Sequence, residues 1–127
     1  WAETAGCEVG AHTATHPILS RAGRDQQRAE ISQSRAALQE WTGRPVRAFA
    51  YPNGQPGTDY TKETVELLDN EGFDIAFNIT FRFAAAAEPP YERSRFMLFA
   101  GTSAAELAHR LCFSWHHTAG YASLPAR

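Results

Sequence analysis

Short apolar runs of strand period alternate with amphipathic runs of helix period along most of the chain, and that alternation restricts the fold. Cys7-Glu8-Val9-Gly10-Ala11 alternates apolar and polar residues and predicts a strand, after a helix end over residues 1–6 that Gly6 stops. A helix is predicted over 24–42, with Ser20 placed as its cap and Ile31, Leu38 and Trp41 near one face. Gly43 stops it and Pro45 prevents resumption. Val46 to Tyr51 is a second strand, followed by the turn-rich Pro52-Asn53-Gly54-Gln55-Pro56-Gly57. A helix over 58–71 carries Val65 and Leu68 and ends at Gly72; Phe73 to Thr80 is a third strand. Residues 82–94 are a loop, Phe96 to Phe99 a fourth strand, and Thr102 or Ser103 caps a last helix that reaches Phe113. Strands alternating with helices imply an α/β fold with a parallel sheet.

The chain has 127 residues, the size of one domain, with no repeat and no long linker. At 43% hydrophobic and 20% charged residues it is ordinary globular material rather than a disordered chain. Twelve basic residues against fourteen acidic ones leave a net charge of −2, which points away from nucleic acid as a partner. No apolar run approaches the ~20 residues that span a bilayer. Cys7 and Cys112 match no metal spacing and make at most one disulfide; both sit in apolar runs, which predicts buried free thiols.

The most informative stretch is His12-Thr13-Ala14-Thr15-His16-Pro17. Two His at i and i+4 meet one cation if the segment turns like a helix, and neutral imidazole is a good Zn²⁺ ligand. Two ligands are too few for a closed site, and no Glu follows His12 as in the zincin pattern. Two solvated loop histidines satisfy the same letters. The second stretch, Phe49-Ala50-Tyr51-Pro52-Asn53-Gly54, ends a strand in a tight turn. In parallel α/β folds the strand C-termini build the ligand site, and turn N–H groups can hold an oxyanion. Any strand-to-loop turn looks alike, so this stretch alone decides nothing.

Together, in order, the two stretches resemble the polysaccharide deacetylases, the NodB-homology domains of carbohydrate esterase family four. Gly6 to Pro17, with His12-Thr13-Ala14-Thr15-His16, is similar to the family's His-Ser/Thr-x-x-His metal motif. Leu19-Ser20, Glu30-Ile31 and Leu38 match the following helix, and Gly43-Arg44-Pro45-Val46 its exit. Phe49 to Gly54 resembles the third motif in its Phe-Ala-Tyr-Pro-x-Gly form, and Gly72 to Phe77 the next strand. The resemblance runs to about residue 113, so residues 1–115 are assigned to part of such a domain and 116–127 to a C-terminal tail.

The resemblance implies part of a distorted (β/α) barrel, with N-terminal strands missing. It implies a divalent metal, most often Zn²⁺, held by His12, His16 and an Asp. The activity implied is hydrolysis of N-acetyl groups on an N-acetylated polysaccharide or oligosaccharide. The backbone N–H of Asn53 takes the oxyanion role, and Tyr51 and Pro52 line the groove. The Phe-Ala-Tyr-Pro form leans towards bacterial envelope or exopolysaccharide enzymes, hence a secreted or envelope-associated protein.

Three departures stand out. The family's upstream Phe-Asp-Asp motif, source of the base and of the third metal ligand, is absent: Asp25, Asp59, Asp69 and Asp74 all lie downstream of the His motif. Truncation accounts for this, and a fragment without those residues is expected to be inactive. A non-catalytic carbohydrate-binding relic of the same fold is the alternative. The Arg two positions before the motif Pro is replaced by Ala50, and Arg95 is the candidate substitute. Leu107-Ala108-His109 fits the letters of the general-acid motif but falls in a predicted helix, so the general acid is unassigned. Asn78-Ile79-Thr80 is formally a glycosylation acceptor inside a predicted strand.

Overall fold

A computed structural model describes residues 6–80 and 82–113. Of the helix end expected over residues 1–6 only Gly6 is among them, with φ 69°, and the tail over 116–127 lies outside them. The first long helix, α1 (Arg24–Thr42), has the predicted bounds. It ends where Gly43 turns left-handed, φ 66°, and its N–H returns to Gln39 O at 2.9 Å. Its N-cap is Gly23; the Ser20 hydroxyl instead donates to Thr58 O at 2.5 Å, tying the entry loop to the loop before the next helix.

The sheet has the order β1 (Ala48–Ala50), β2 (Ile75–Ile79), β3 (Arg93–Arg95), all parallel. The predicted strand at Cys7–Ala11 contracts to one parallel bridge, Ala11 against Phe49, made by Ala11 N–H to Ala48 O (2.8 Å) and Ala50 N–H to Ala11 O (2.9 Å). Gly10 allows that approach, since a Cβ there would stand 3.1 Å from Ala48 O. Between β1 and β2 lies α2 (Lys62–Asn70), shorter than predicted because Thr61 is its cap and the 55–60 segment turns back on itself. The last helix, α3 (Ala104–Phe113), has the predicted extent, with Glu106 N–H bonded to Ser103 Oγ at 3.1 Å.

Register places Ala11, Phe49, Ala76, Asn78 and Ser94 on one face of the sheet. That face is buried, and Leu19, Ile31, Leu67, Leu68 and Phe73 join it in the core. Arg35 ties α1 to its neighbours: its guanidinium donates to Val46 O (3.0 Å), Gly72 O (3.0 Å) and Glu71 O, and lies 4.9 Å from the Phe73 ring centre. The opposite face, with Ala48, Ala50, Ile75, Phe77 and Ile79, is only half-buried.

Three expectations are corrected. The strand near residue 95 is Arg93–Arg95, not Phe96–Phe99, so part of the expected loop is sheet. Its central residue is held by hydrogen bonds, Ser94 Oγ to Thr80 (2.6 Å) and Glu88 (2.7 Å), while Phe99 and Leu98 are exposed. Trp41 is 78% exposed; on α1 it turns away from the stripe that buries Ile31. Cys7 and Cys112 are both exposed thiols, because the first run enters the core only at Ala11 and α3 buries none of its side chains. Asn78 lies in β2 as expected; it is buried, donating to Glu92 O (3.1 Å) and Tyr60 OH (3.3 Å), and offers no acceptor for a glycan.

Candidate active site

Because the strands are parallel, their C-terminal ends deliver side chains to one end of the sheet. His12 follows the bridge at Ala11, Tyr51 follows β1, and Arg95 closes β3. In β/α folds this is the end at which loops build ligand sites.

The chain leaves the Ala11 bridge through an unusual turn. It is not the helical turn that i, i+4 spacing suggests. Thr13 (φ 64°) and His16 (φ 62°) are both left-handed, a conformation disfavoured for residues with a Cβ. The turn brings the two rings edge to face, centroids 4.8 Å apart and planes at 71°. His12 Nδ1 lies 2.7 Å from Ala50 O. A carbonyl accepts and never donates, so Nδ1 carries the proton and Nε2 keeps its lone pair. Partial desolvation of the ring, which still reaches solvent, pushes the His12 pKa down; the bond to Ala50 opposes this, and His16 and Arg95 add to the depression. These effects favour the neutral ring, the form in which imidazole binds a metal.

Two interactions hold the turn. His16 N–H donates to Thr13 Oγ1 at 3.0 Å. From α1, the Glu30 carboxylate accepts the N–H of Ala14 (2.9 Å), the N–H of Thr15 (2.8 Å) and the Thr15 hydroxyl (2.6 Å). Burial alone would raise the Glu30 pKa, but these three donors outweigh it and hold the carboxyl below its ordinary range. Sequence reasoning gave Glu30 no role. The signal was its position: the buried stripe of α1 is Gln27, Glu30, Ile31 and Ser34, which puts a carboxylate on an inward face.

The second stretch forms a tight turn. Gly54 N–H donates to Pro52 O at 2.6 Å around Asn53, whose φ is 55°. Asn53 is exposed, and its N–H meets no acceptor among the described residues. Gly54 is required: a Cβ there would lie 3.2 Å from Tyr51 O and 3.3 Å from Ile79 N.

Tyr51 and Pro52, expected to line the groove, are buried instead. The Tyr51 ring stacks on Tyr60 at 3.7 Å and 4°, and its hydroxyl donates to Tyr91 O at 2.8 Å. Tyr51 serves the site through its carbonyl, which accepts from Arg95 Nη2 at 3.1 Å. Arg95 is half-buried, and its Nε is buried without an acceptor. His109 lies on α3 with its ring 4.8 Å from Phe113, a helix position as expected; His116 and His117 lie outside the described residues.

The donor set suits a borderline divalent ion: two neighbouring imidazoles, one with its Nε2 lone pair fixed by the bond from its other nitrogen. Among the described residues no third His, Cys, Asp or Glu groups with the pair.

The polysaccharide deacetylase family model matches residues 2–76. The chain belongs to the polysaccharide deacetylase family. Among solved structures, this deacetylase-family chain is similar to the Streptococcus pyogenes deacetylase PplD in complex with acetate: TM-score 0.73, 23% identity, over 85% of this chain and 46% of that one. It is similar to IcaB from Ammonifex degensii: TM-score 0.64, 24% identity, over 86% of this chain and 48% of that one. It also resembles the family 4 carbohydrate esterase from Streptomyces lividans in complex with acetate: TM-score 0.52, 24% identity, over 59% and 36% of the two chains. No curated protein matches in sequence. The chain therefore spans about half the length of the first two structures it matches. The fold is the α/β, barrel-type fold of these deacetylases, and this polysaccharide deacetylase chain carries part of it.

Proposed function

We propose that the protein removes N-acetyl groups from an amino-sugar polysaccharide by metal-dependent hydrolysis, with His12 and His16 as metal ligands. The supporting observation is the turn that spends two left-handed residues to set the two imidazoles side by side, one of them tautomer-locked against Ala50. Strained backbone is retained where surrounding structure over-determines it, and such places concentrate at functional sites. Bound there, Zn²⁺ would polarise the acetyl carbonyl and lower the pKa of a water.

The chain's own residues do the rest. The exposed, acceptor-free N–H of Asn53 donates to the oxygen that gains charge as water adds to the acetyl carbon. The C–N bond then breaks, giving acetate and a free amine. The Nε of Arg95, buried without an acceptor, is the donor that orients the carboxylate of the general base. That base and the third metal ligand are assigned to an Asp pair that this sequence does not contain, so the described half-site alone is inactive. The substrate is an N-acetylated polysaccharide or oligosaccharide.

The test is Zn²⁺ titration by calorimetry on the full-length protein, followed by acetate release from N-acetylated glycans. Replacing His12 and His16 together by Ala is expected to abolish binding, a larger effect than the ~10–100-fold that outer partners of a metal site cost. Tight zinc binding without acetate release would favour the carbohydrate-binding relic. Wild-type protein that is folded yet binds no zinc would withdraw the metal-dependent reading.

A further inference from the structure

We propose that Glu30 is a positioning residue: from α1 its carboxylate holds the 13–16 turn in the left-handed conformation that sets His16 beside His12. The metal consequence rests on the functional reading above; the positioning itself does not.

The geometry leaves little else to do this work. Thr13 and His16 both sit in a backbone region that is disfavoured for a residue with a Cβ. Something must oppose that cost, and the turn lies on the surface: His12, Ala14, Thr15 and His16 are all exposed. Core packing therefore does not fix it. The intraloop bond from His16 N–H to Thr13 Oγ1 closes the turn but does not anchor it to the fold. Glu30 does anchor it. Both carboxylate oxygens are used, Oε2 by two successive backbone N–H groups and Oε1 by the Thr15 hydroxyl. All three contacts fall between the two histidines in sequence, so the carboxylate grips the segment whose shape decides the ring separation. Glu30 itself is only 9% exposed and sits one residue before Ile31, which is fully buried in the core. A rigid helix thus presents a fixed anion to a strained surface turn. Charged acceptors make hydrogen bonds about twice as strong as neutral ones, which suits an anchor of this kind.

The proposal predicts that weakening Glu30 changes histidine geometry before it changes the fold. The variants are Glu30→Gln, which keeps the shape but not the charge, and Thr15→Val, which deletes only the hydroxyl contact. The first readout needs no metal: the ring-to-ring nuclear Overhauser effect between His12 and His16, with the dispersion of the His16 ring resonances. Wild type is expected to show one ordered arrangement. Glu30→Gln is expected to lose most of the ring-to-ring signal while its core methyl resonances stay native, and Thr15→Val to lose part of it. The second readout is Zn²⁺ affinity, expected to fall about 10–100-fold in Glu30→Gln. Native ring signals in folded Glu30→Gln overturn the proposal, as does unchanged ring geometry in Thr15→Val if Glu30→Gln fails to fold. Absence of zinc binding by wild type defeats the metal-dependent function instead, and the metal-free ring signals then still decide the role of Glu30.

Discussion

Three residues with a Cβ adopt positive φ among the described residues, Thr13, His16 and Asn53, and all three fall in the two candidate-site turns. Asn tolerates that region better than other residues with a Cβ, because its short amide bonds locally. Asn53→Gly is therefore expected to change stability by no more than a few tenths of a kcal/mol, and Asn53→Val to cost about 1–2 kcal/mol. Urea denaturation of the pair checks this; equal stabilities would mean the turn relaxes. Gly54 is stricter, since both its φ of 85° and the 3.2 Å approach to Tyr51 O exclude a methyl. Gly54→Ala should destabilise more than Asn53→Val in the same measurement. The closeness of His12 and His16 was legible at this scale from their i, i+4 spacing, but the left-handed turn that brings it about was not. The burial of Tyr51 was not: an aromatic before a motif Pro reads the same whether it faces a groove or, as here, stacks on Tyr60.

At the scale of elements, punctuation was the reliable signal. Gly43 ends α1 and Gly72 follows α2, each with positive φ, where glycine letters predict it. Apolar letters misled near β3, where Phe96–Phe99 looks more like a strand than Arg93-Ser94-Arg95 does. The polar strand is stabilised by polar partners outside it. The Glu88 carboxylate accepts the Ser94 N–H (2.9 Å), the Ser94 hydroxyl (2.7 Å) and Arg82 (3.0 Å). Burial would raise the Glu88 pKa, but these donors prevail and hold it below the ordinary range. A carboxyl depressed in the folded state adds stability that is present above its unfolded pKa and is lost as pH falls through the folded one. The stability gap between wild type and Glu88→Gln should therefore be full at neutral pH and close progressively in acid below about pH 4. A gap that stays constant into strong acid would exclude this contribution. Arg35, which caps carbonyls of Val46, Glu71 and Gly72 at once, should cost about 1–3 kcal/mol as Arg35→Ala. Arg35→Lys should recover little, since a single ammonium lacks the planar fork.

Across the whole molecule, the alternation of strands and helices correctly indicated a parallel α/β sheet, because period and turn chemistry are local properties. What local letters do not encode is how many neighbours an element has. The helix α3 buries none of its side chains, and Leu98, Phe99, Leu111 and Phe113 are exposed. The sheet face with Ile75, Phe77 and Ile79 is half covered. Exposed apolar area and open strand edges drive association. The 127-residue chain alone is expected to self-associate as its concentration rises, measurable by sedimentation velocity. A monomer across the accessible concentration range would show that these surfaces are tolerated.

The hydrogen bond from His12 to Ala50 has a mechanical meaning. After Ala11 N–H bonds Ala48 O, the regular continuation of a parallel pair would send the Thr13 N–H to Ala50 O. The imidazole takes that rung instead, at 2.7 Å, and the left-handed Thr13 steers the backbone away. The histidine is thus indexed to the sheet as a tooth is to a rack. Slippage of the Ala11 segment by one residue would carry the ring about 3.3 Å along β1 and turn it to the other face. Strand register is the gauge that sets where the imidazole stands.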